Sequence, residues 1–176
     1  YIDVTDKGEG TLIKIETDHV WGGSQDCIRA EYITRNGRQS YESYGWMNGE
    51  EIRIIYPSDA DLTVNAIGYR ETGYGCDREG IFHCSDQTIN RFWEKAMRTL
   101  YVNMRDTYFD CPDRERAQWW GDATVLSGQS YYQLSPEANA LSCKAIHELA
   151  HWQREDGVIY SPVPAGNWGL ELPAQM

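Results

Sequence analysis

The hydrophobic period of this chain changes near residue 85, and that change limits what it can fold into. Before it, apolar residues come in short runs at residues 12–15, 27–33, 51–56 and 62–67. Such runs, rich in β-branched and aromatic residues and bounded by Asn, Gly and Pro, are strand signals. Asn36-Gly37 and Asn48-Gly49 are hairpin-type turn signals between them. Strands at this spacing predict an antiparallel sandwich. Beyond residue 85, Ile89, Phe92, Trp93, Ala96, Met97, Leu100, Tyr101 and Met104 recur at steps of three and four. This predicts an amphipathic helix over 86–105, with Ser85 as its N-cap. A second helix is expected from near Asp113 past Tyr131. Ser135-Pro136-Glu137 opens a third, with Pro in the first turn, and that helix ends before Gly157. The tail, with Pro162, Pro164, Gly166, Gly169 and Pro173, reads as loop. The expected class is α+β, a β-sandwich module over 1–78 followed by a helical part over 79–176.

The 176 residues suffice for one domain or two small pieces. A net charge of −11 argues against nucleic acid or an anionic membrane surface as partner, and leaves a neutral sugar compatible. No apolar run reaches transmembrane length. The five cysteines, Cys27, Cys76, Cys84, Cys111 and Cys143, are odd in number and contain no CxxC pair. They describe neither a disulfide framework nor a cysteine zinc site, which tips the balance toward a reducing compartment such as the cytoplasm. The chain opens Tyr-Ile-Asp-Val, without Met, and reads as an internal piece of something longer.

The chemistry concentrates in Asp110-Cys111-Pro112-Asp113-Arg114-Glu115-Arg116-Ala117-Gln118-Trp119-Trp120-Gly121-Asp122. Carboxylates transfer protons, arginines hold anions or tune a neighbour's pKa, and tryptophan faces stack on sugar rings. Together these are the parts of a glycoside-cleaving site. Glu115 is the candidate general acid. Such an acid needs a raised pKa, which Asp110, Asp113 and Asp122 could provide, whereas Arg114 and Arg116 pull the other way. In a helix from Asp113, Asp122 would lie about two turns beyond Glu115 on the same face. One of Trp119 and Trp120 would line a cleft and the other pack inside, with Cys111 a packed small residue. The plain alternative is a charged helix start, because acids in a first turn favour the helix dipole.

Asp110-Cys111-Pro112, the Arg114-Glu115-Arg116 core and Trp119-Trp120-Gly121-Asp122 resemble the motif of the family 78 glycoside hydrolases, the α-L-rhamnosidases. Many members carry one more residue between the Pro and the Glu, so this chain has the shorter form. The resemblance is clearest from Gly68 to about Pro164, a little over half the chain. It implies a β-sandwich ahead of an (α/α)6 barrel of which only the first helices are present, with Tyr69 to Tyr74 linking the two. It implies inverting hydrolysis of terminal α-L-rhamnosyl residues from glycosides or oligosaccharides, without a cofactor. It places the acid at Glu115 and sugar binding at Asp110, Arg114, Trp119 and Asp122. The general base would lie far downstream, so the piece alone would be inactive. Barrel helices without neighbours would expose some of Phe92, Trp93, Met97, Leu126 and Trp152, to be covered by the rest of the parent or by a second copy.

Two other classes stay open. His147-Glu148-Leu149-Ala150-His151 matches HExxH, the zinc peptidase signature, with Glu171 as a possible third ligand. Against it, Glu171 lies between Gly169 and Pro173 in a poor helix context, and the histidines suit a helix face packed by Leu149 and Trp152. The third class is a non-catalytic carbohydrate-binding piece. Arg70 and Glu71 are expected to form a local pair, and His83 to be structural. With no metal in the preferred reading, added zinc should leave the thermal midpoint of the chain unchanged. A zinc-dependent rise that is lost in His147→Ala would favour the peptidase.

Overall fold

The computed structural model describes residues 1–19 and 28–163. The chain divides into two compact units, Tyr1–Thr72 and a second beginning at Gly73.

The first unit holds six described strands: β1 (Ile2–Asp6), β2 (Leu12–Thr17), β3 (Ile28–Ile33), β4 (Gly37–Tyr41), β5 (Ile52–Ile55) and β6 (Leu62–Ile67). They form two antiparallel sheets, ordered β4-β1-β6 and β3-β2-β5. Alternation places Ile2, Val4 and Asp6 of β1, and Ile13, Ile15 and Thr17 of β2, on buried faces. Ile2, Val4 and Ile13 join Tyr32, Tyr41, Ile54, Leu62 and Val64, so both sheets feed one core. Burying each such aliphatic side chain contributes about 1.5–3 kcal/mol. Asp6, also buried, is held by the Thr34 hydroxyl at 2.5 Å and the Gly8 amide at 2.8 Å, which satisfies a carboxylate that would otherwise be costly.

Strands β1 and β4 carry no run that the sequence reading identified. β1 alternates apolar and acidic residues, and β4 is polar along much of its length. Neither Asn-Gly signal joins two paired strands as a hairpin. Gly37 (φ +93°) and Gly49 (φ +137°) adopt the left-handed backbone that favours glycine. The strands they separate, β3 from β4 and β4 from β5, lie in different sheets. Arg70 pairs with Glu42 at 2.9 Å rather than with its neighbour Glu71.

The second unit contains, among the described residues, α1 (Gln87–Asn103), β7 (Gln118–Trp119), α2 (Trp120–Gln133), a short 3₁₀ turn (Pro136–Ala138), α3 (Asn139–His151) and β8 (Pro162–Val163). Asp86, not Ser85, caps α1, accepting from the Thr88 amide at 2.7 Å, a contact that contributes about 0.5–2 kcal/mol. The second helix starts at Trp120 rather than near Asp113, for reasons that lie in the site below. Leu100 and Met104 meet Ala123 and Leu126 of α2, Leu134, Ala138, and Leu141 and Ala145 of α3 in one core around Tyr108. The Tyr108 hydroxyl donates to Ser130 of α2 at 3.2 Å and shares a 3.0 Å hydrogen bond with Ser142 of α3. Met97 and Leu126 are buried, whereas Phe92 and Trp152 are exposed, as are Val125 and Ile146.

One segment approaches the end of α2 closely. The Glu79 and Gly80 amides both donate to the Gln133 carbonyl, and Asp77 exchanges hydrogen bonds with Ser135. A Cβ on Gly80 would lie 2.0 Å from the Tyr132 carbonyl oxygen and 2.7 Å from the Gln133 Cα, backbone atoms that cannot swing away. Gly128, inside α2, has open space there. Gly80→Ala should therefore destabilise the chain by about 1–3 kcal/mol in denaturant titration, whereas Gly128→Ala should stabilise it by about 0.5–1 kcal/mol. Equal effects of the two changes would contradict this packing.

Candidate active site

The site grows from the turn after α1. The Phe109 amide donates to the Asn103 carbonyl at 2.8 Å, and the Arg105 amide to Thr107 at 3.0 Å, so the chain folds back across the end of the helix. Buried Tyr108 anchors this turn, and Asp110 follows two residues later. Asp110 then closes a loop on Ala117. Its amide donates to the Ala117 carbonyl at 3.0 Å, and the Ala117 amide donates to Asp110 Oδ1 at 3.0 Å.

That closure explains why no helix starts at Asp113. Side-chain bonds of this kind offer the backbone an alternative to helical pairing. Arg116 has φ +49°, outside the right-handed helical region, and its Nε donates to the Pro112 carbonyl at 2.8 Å. Gln118 and Trp119 next pair with Val163 and Pro162, and only then does α2 begin. Glu115 and Asp122 therefore do not share a helix face. Glu115 lies in the closed loop, and Asp122 lies exposed in the first turn of α2, where the helix dipole favours an anion. Trp119, half-buried in β7, precedes the helix.

The loop brings three of the motif residues onto Glu115 or beside it. Arg114 Nε donates to Glu115 Oε1 at 2.6 Å, and the Cys111 thiol donates to Oε2 at 3.2 Å. Donor atoms of Asp110, Cys111 and Glu115 lie within 4.8 Å of one another, close enough for one cation. Charge and burial push the two carboxyls in opposite directions. The Arg114 guanidinium holds Glu115 down to about 2, well below its ordinary value, against the smaller opposing effect of burial. Burial pushes Asp110 up, with the Glu115 charge adding to it and the Ala117 amide opposing. The contest between flanking arginines and neighbouring acids thus goes to Arg114 at Glu115, and the raised carboxyl is Asp110.

The HExxH residues lie on α3. His147 and His151 are exposed on α3. Glu148 pairs with Lys144 at 2.8 Å and accepts from Thr107 at 3.4 Å, facing the turn below the candidate site. Glu171 lies outside the described residues. Among the described residues the group that could hold a cation is the Asp110 cluster, without either histidine. The sequence reading missed the Cys111 contact with Glu115, although a spacing of four residues within the motif was its one visible sign. It also missed Thr107, Gln118 and Lys144, whose roles depend on contacts across 11 to 41 positions of sequence.

Residues 77–174 match the family described as the bacterial alpha-L-rhamnosidase six-hairpin glycosidase domain, and the chain belongs to that family. An alpha-L-rhamnosidase of Formosa agariphila is 29% identical over 110 residues, 58% of this chain and 11% of that protein. The GH78 family rhamnosidase of Bacillus sp. GL1 superposes with a TM-score of 0.70 at 23% identity, over 93% of this chain and 18% of that one. The alpha-L-rhamnosidase of Dictyoglumus thermophilum superposes at 0.62 and 19% identity, over 96% of this chain and 20% of that one. At these identities the two structures show the fold alone, and the chain spans about a tenth of the curated relative's length and a fifth of theirs.

A carboxyl whose folded pKa is depressed binds its proton less tightly folded than unfolded. The contribution of the Arg114–Glu115 pair is therefore full above the ordinary glutamate value of 4.5 and is lost as the pH falls toward about 2. Carbon-detected NMR titration should find the Glu115 midpoint at about 2, and Arg114→Met should return it toward 4.5. An unmoved midpoint in that variant would remove Arg114 as the cause.

Proposed function

We propose that the chain carries the general acid of an inverting α-L-rhamnosidase, with Glu115 as the proton donor. In this reading the strands are the sandwich module and the helices are the first of an (α/α)6 barrel. The observation that supports it most is the closed loop that holds Glu115 against Cys111 and Asp110, in a chain of this family. The substrate is a terminal α-L-rhamnosyl residue on a glycoside or oligosaccharide. Glu115 protonates the departing glycosidic oxygen, and a second carboxylate, typically roughly 6.5–9.5 Å away, activates water on the opposite face. No residue here is assigned that base, so the activity belongs to the full-length protein and the chain alone is inactive. Asp110, Asp122 and Arg114 bind sugar hydroxyls and Trp119 offers its ring face.

The acid role requires Glu115 to be protonated, and Arg114 holds it ionised in the free chain. The Arg114 side chain is 73% exposed while that of Glu115 is 19% exposed. Arg114 can therefore turn away to sugar or solvent, and a docked sugar would then desolvate Glu115 and raise its pKa. The raised carboxyl of Asp110 supports a second reading, in which Asp110 is the donor and Glu115 the sugar ligand.

Leaving groups separate these readings. In the full-length protein, Glu115→Gln should lower kcat on an alkyl or sugar leaving group by roughly a hundred- to ten-thousand-fold, and by less on an activated aryl leaving group. Asp110→Asn and Asp122→Asn should weaken rhamnose binding and turnover alike with both. The selective loss appearing in Asp110→Asn instead would move the acid to Asp110. Wild-type activity in Glu115→Gln would remove the assignment.

A further inference from the structure

The HExxH motif is left over by the reading above, yet its glutamate is engaged with the turn from which the acid loop springs. Lys144 Nζ donates to the Asp106 carbonyl while pairing with Glu148 at 2.8 Å, one helical turn along α3. Glu148 Oε2 in turn accepts from the Thr107 hydroxyl at 3.4 Å. That hydroxyl lies closer still to Oε1 of Gln118, which is wholly buried, so its one proton is shared between the two oxygens. Asp106 and Thr107 stand just before the loop, and Gln118 stands just after Ala117, where the loop closes. One face of α3 thus grips the entry of the Glu115 loop directly and its exit through Thr107.

We propose that Lys144 and Glu148 are positioning residues for the acid. Joined by Thr107 and Gln118, they form a clamp from α3 that fixes the base of the 110–117 loop and so the aim of the Glu115 carboxyl. This deepens the rhamnosidase reading and rests on it. None of the four is required to touch sugar. Their effect runs through geometry, and a misplacement of about 1 Å in a reacting group can cost on the order of a hundred-fold in rate. Proton donation matters most where the leaving group is poor. Loosening the clamp should therefore reproduce, in weaker form, the leaving-group dependence of losing the acid.

The test uses the full-length protein and three variants, Lys144→Met, Glu148→Gln and Lys144→Arg, beside Glu115→Gln. Lys144→Met and Glu148→Gln should lower kcat on an alkyl or sugar leaving group by roughly ten- to a hundred-fold. The loss should be clearly smaller with an activated aryl group, with KM and the thermal midpoint near wild type. Lys144→Arg, which keeps a donor to Asp106 and the pair with Glu148, should recover most of the rate. A helix-packing role alone would lower the midpoint or both substrates' rates equally. Equal losses with both leaving groups, or none, would overturn the clamp while a selective loss in Glu115→Gln kept the acid. If Glu115→Gln itself shows no selectivity, the acid and the clamp fall together.

Discussion

The reciprocal pairing of Asp110 with Ala117 governs the rest of the site. One backbone bond and one side-chain bond, both 3.0 Å, close the intervening residues into a loop that cannot be continued as helix. Asp110 supplies the closing oxygen, while Tyr108, buried two residues earlier with its hydroxyl between α2 and α3, fixes where the loop stands on the helical core. A side-chain acceptor of this kind contributes only about 0.5–3 kcal/mol to stability. Its larger effect is geometric, because it decides which way Glu115, Cys111 and Arg114 face. The same carboxyl is then both a structural tie and a group that burial makes harder to ionise.

Two carboxyls in one short loop acquire opposite tendencies from their surroundings, the arrangement by which one site separates proton-holding from charge-holding groups. Arg114 dominates at Glu115 because it is in direct contact at 2.6 Å, and contact outweighs the partial burial that would raise the pKa. At Asp110 the partners are an amide and a thiol, and burial prevails. The balance at Glu115 depends on one exposed cation. In the proposed reading, Glu115 is ionised while the site is empty and takes up its proton when a ligand takes the arginine's place.

Much of this was legible in the sequence where the signal is local. The period of three and four set α1 to within two residues, and Pro136 marked the start of the third helical segment. The sandwich runs were visible wherever β-branched residues clustered, as in β2 and β6, and invisible in polar β4, which is held by its pairing with β1 rather than by its own composition. Glu115, Asp110 and Arg114 were expected from a family resemblance, and they lie in one loop together with Cys111, which was expected only as a packed small residue. Their conformation did not follow. Asp-Arg-Glu-Arg has good helix formers, and the closure between Asp110 and Ala117, seven positions apart, works against them. The surroundings of Glu148 in HExxH were illegible for a related reason. The pattern records spacing on a helix, whereas Glu148 is committed by Lys144, four residues back, and by Thr107, which is distant in sequence.

Amide hydrogen exchange at Ala117 tests the central claim, that Asp110 closes the loop carrying Glu115, most directly. The account requires the Ala117 amide to be protected in the native chain, because it donates to Asp110 Oδ1. It requires that protection to fall sharply in Asp110→Ala while the amides of α1 stay protected. An Ala117 amide that exchanges at the same rate with and without the Asp110 carboxylate would mean that the loop is closed by something else, and the geometry assigned to Glu115 would not stand.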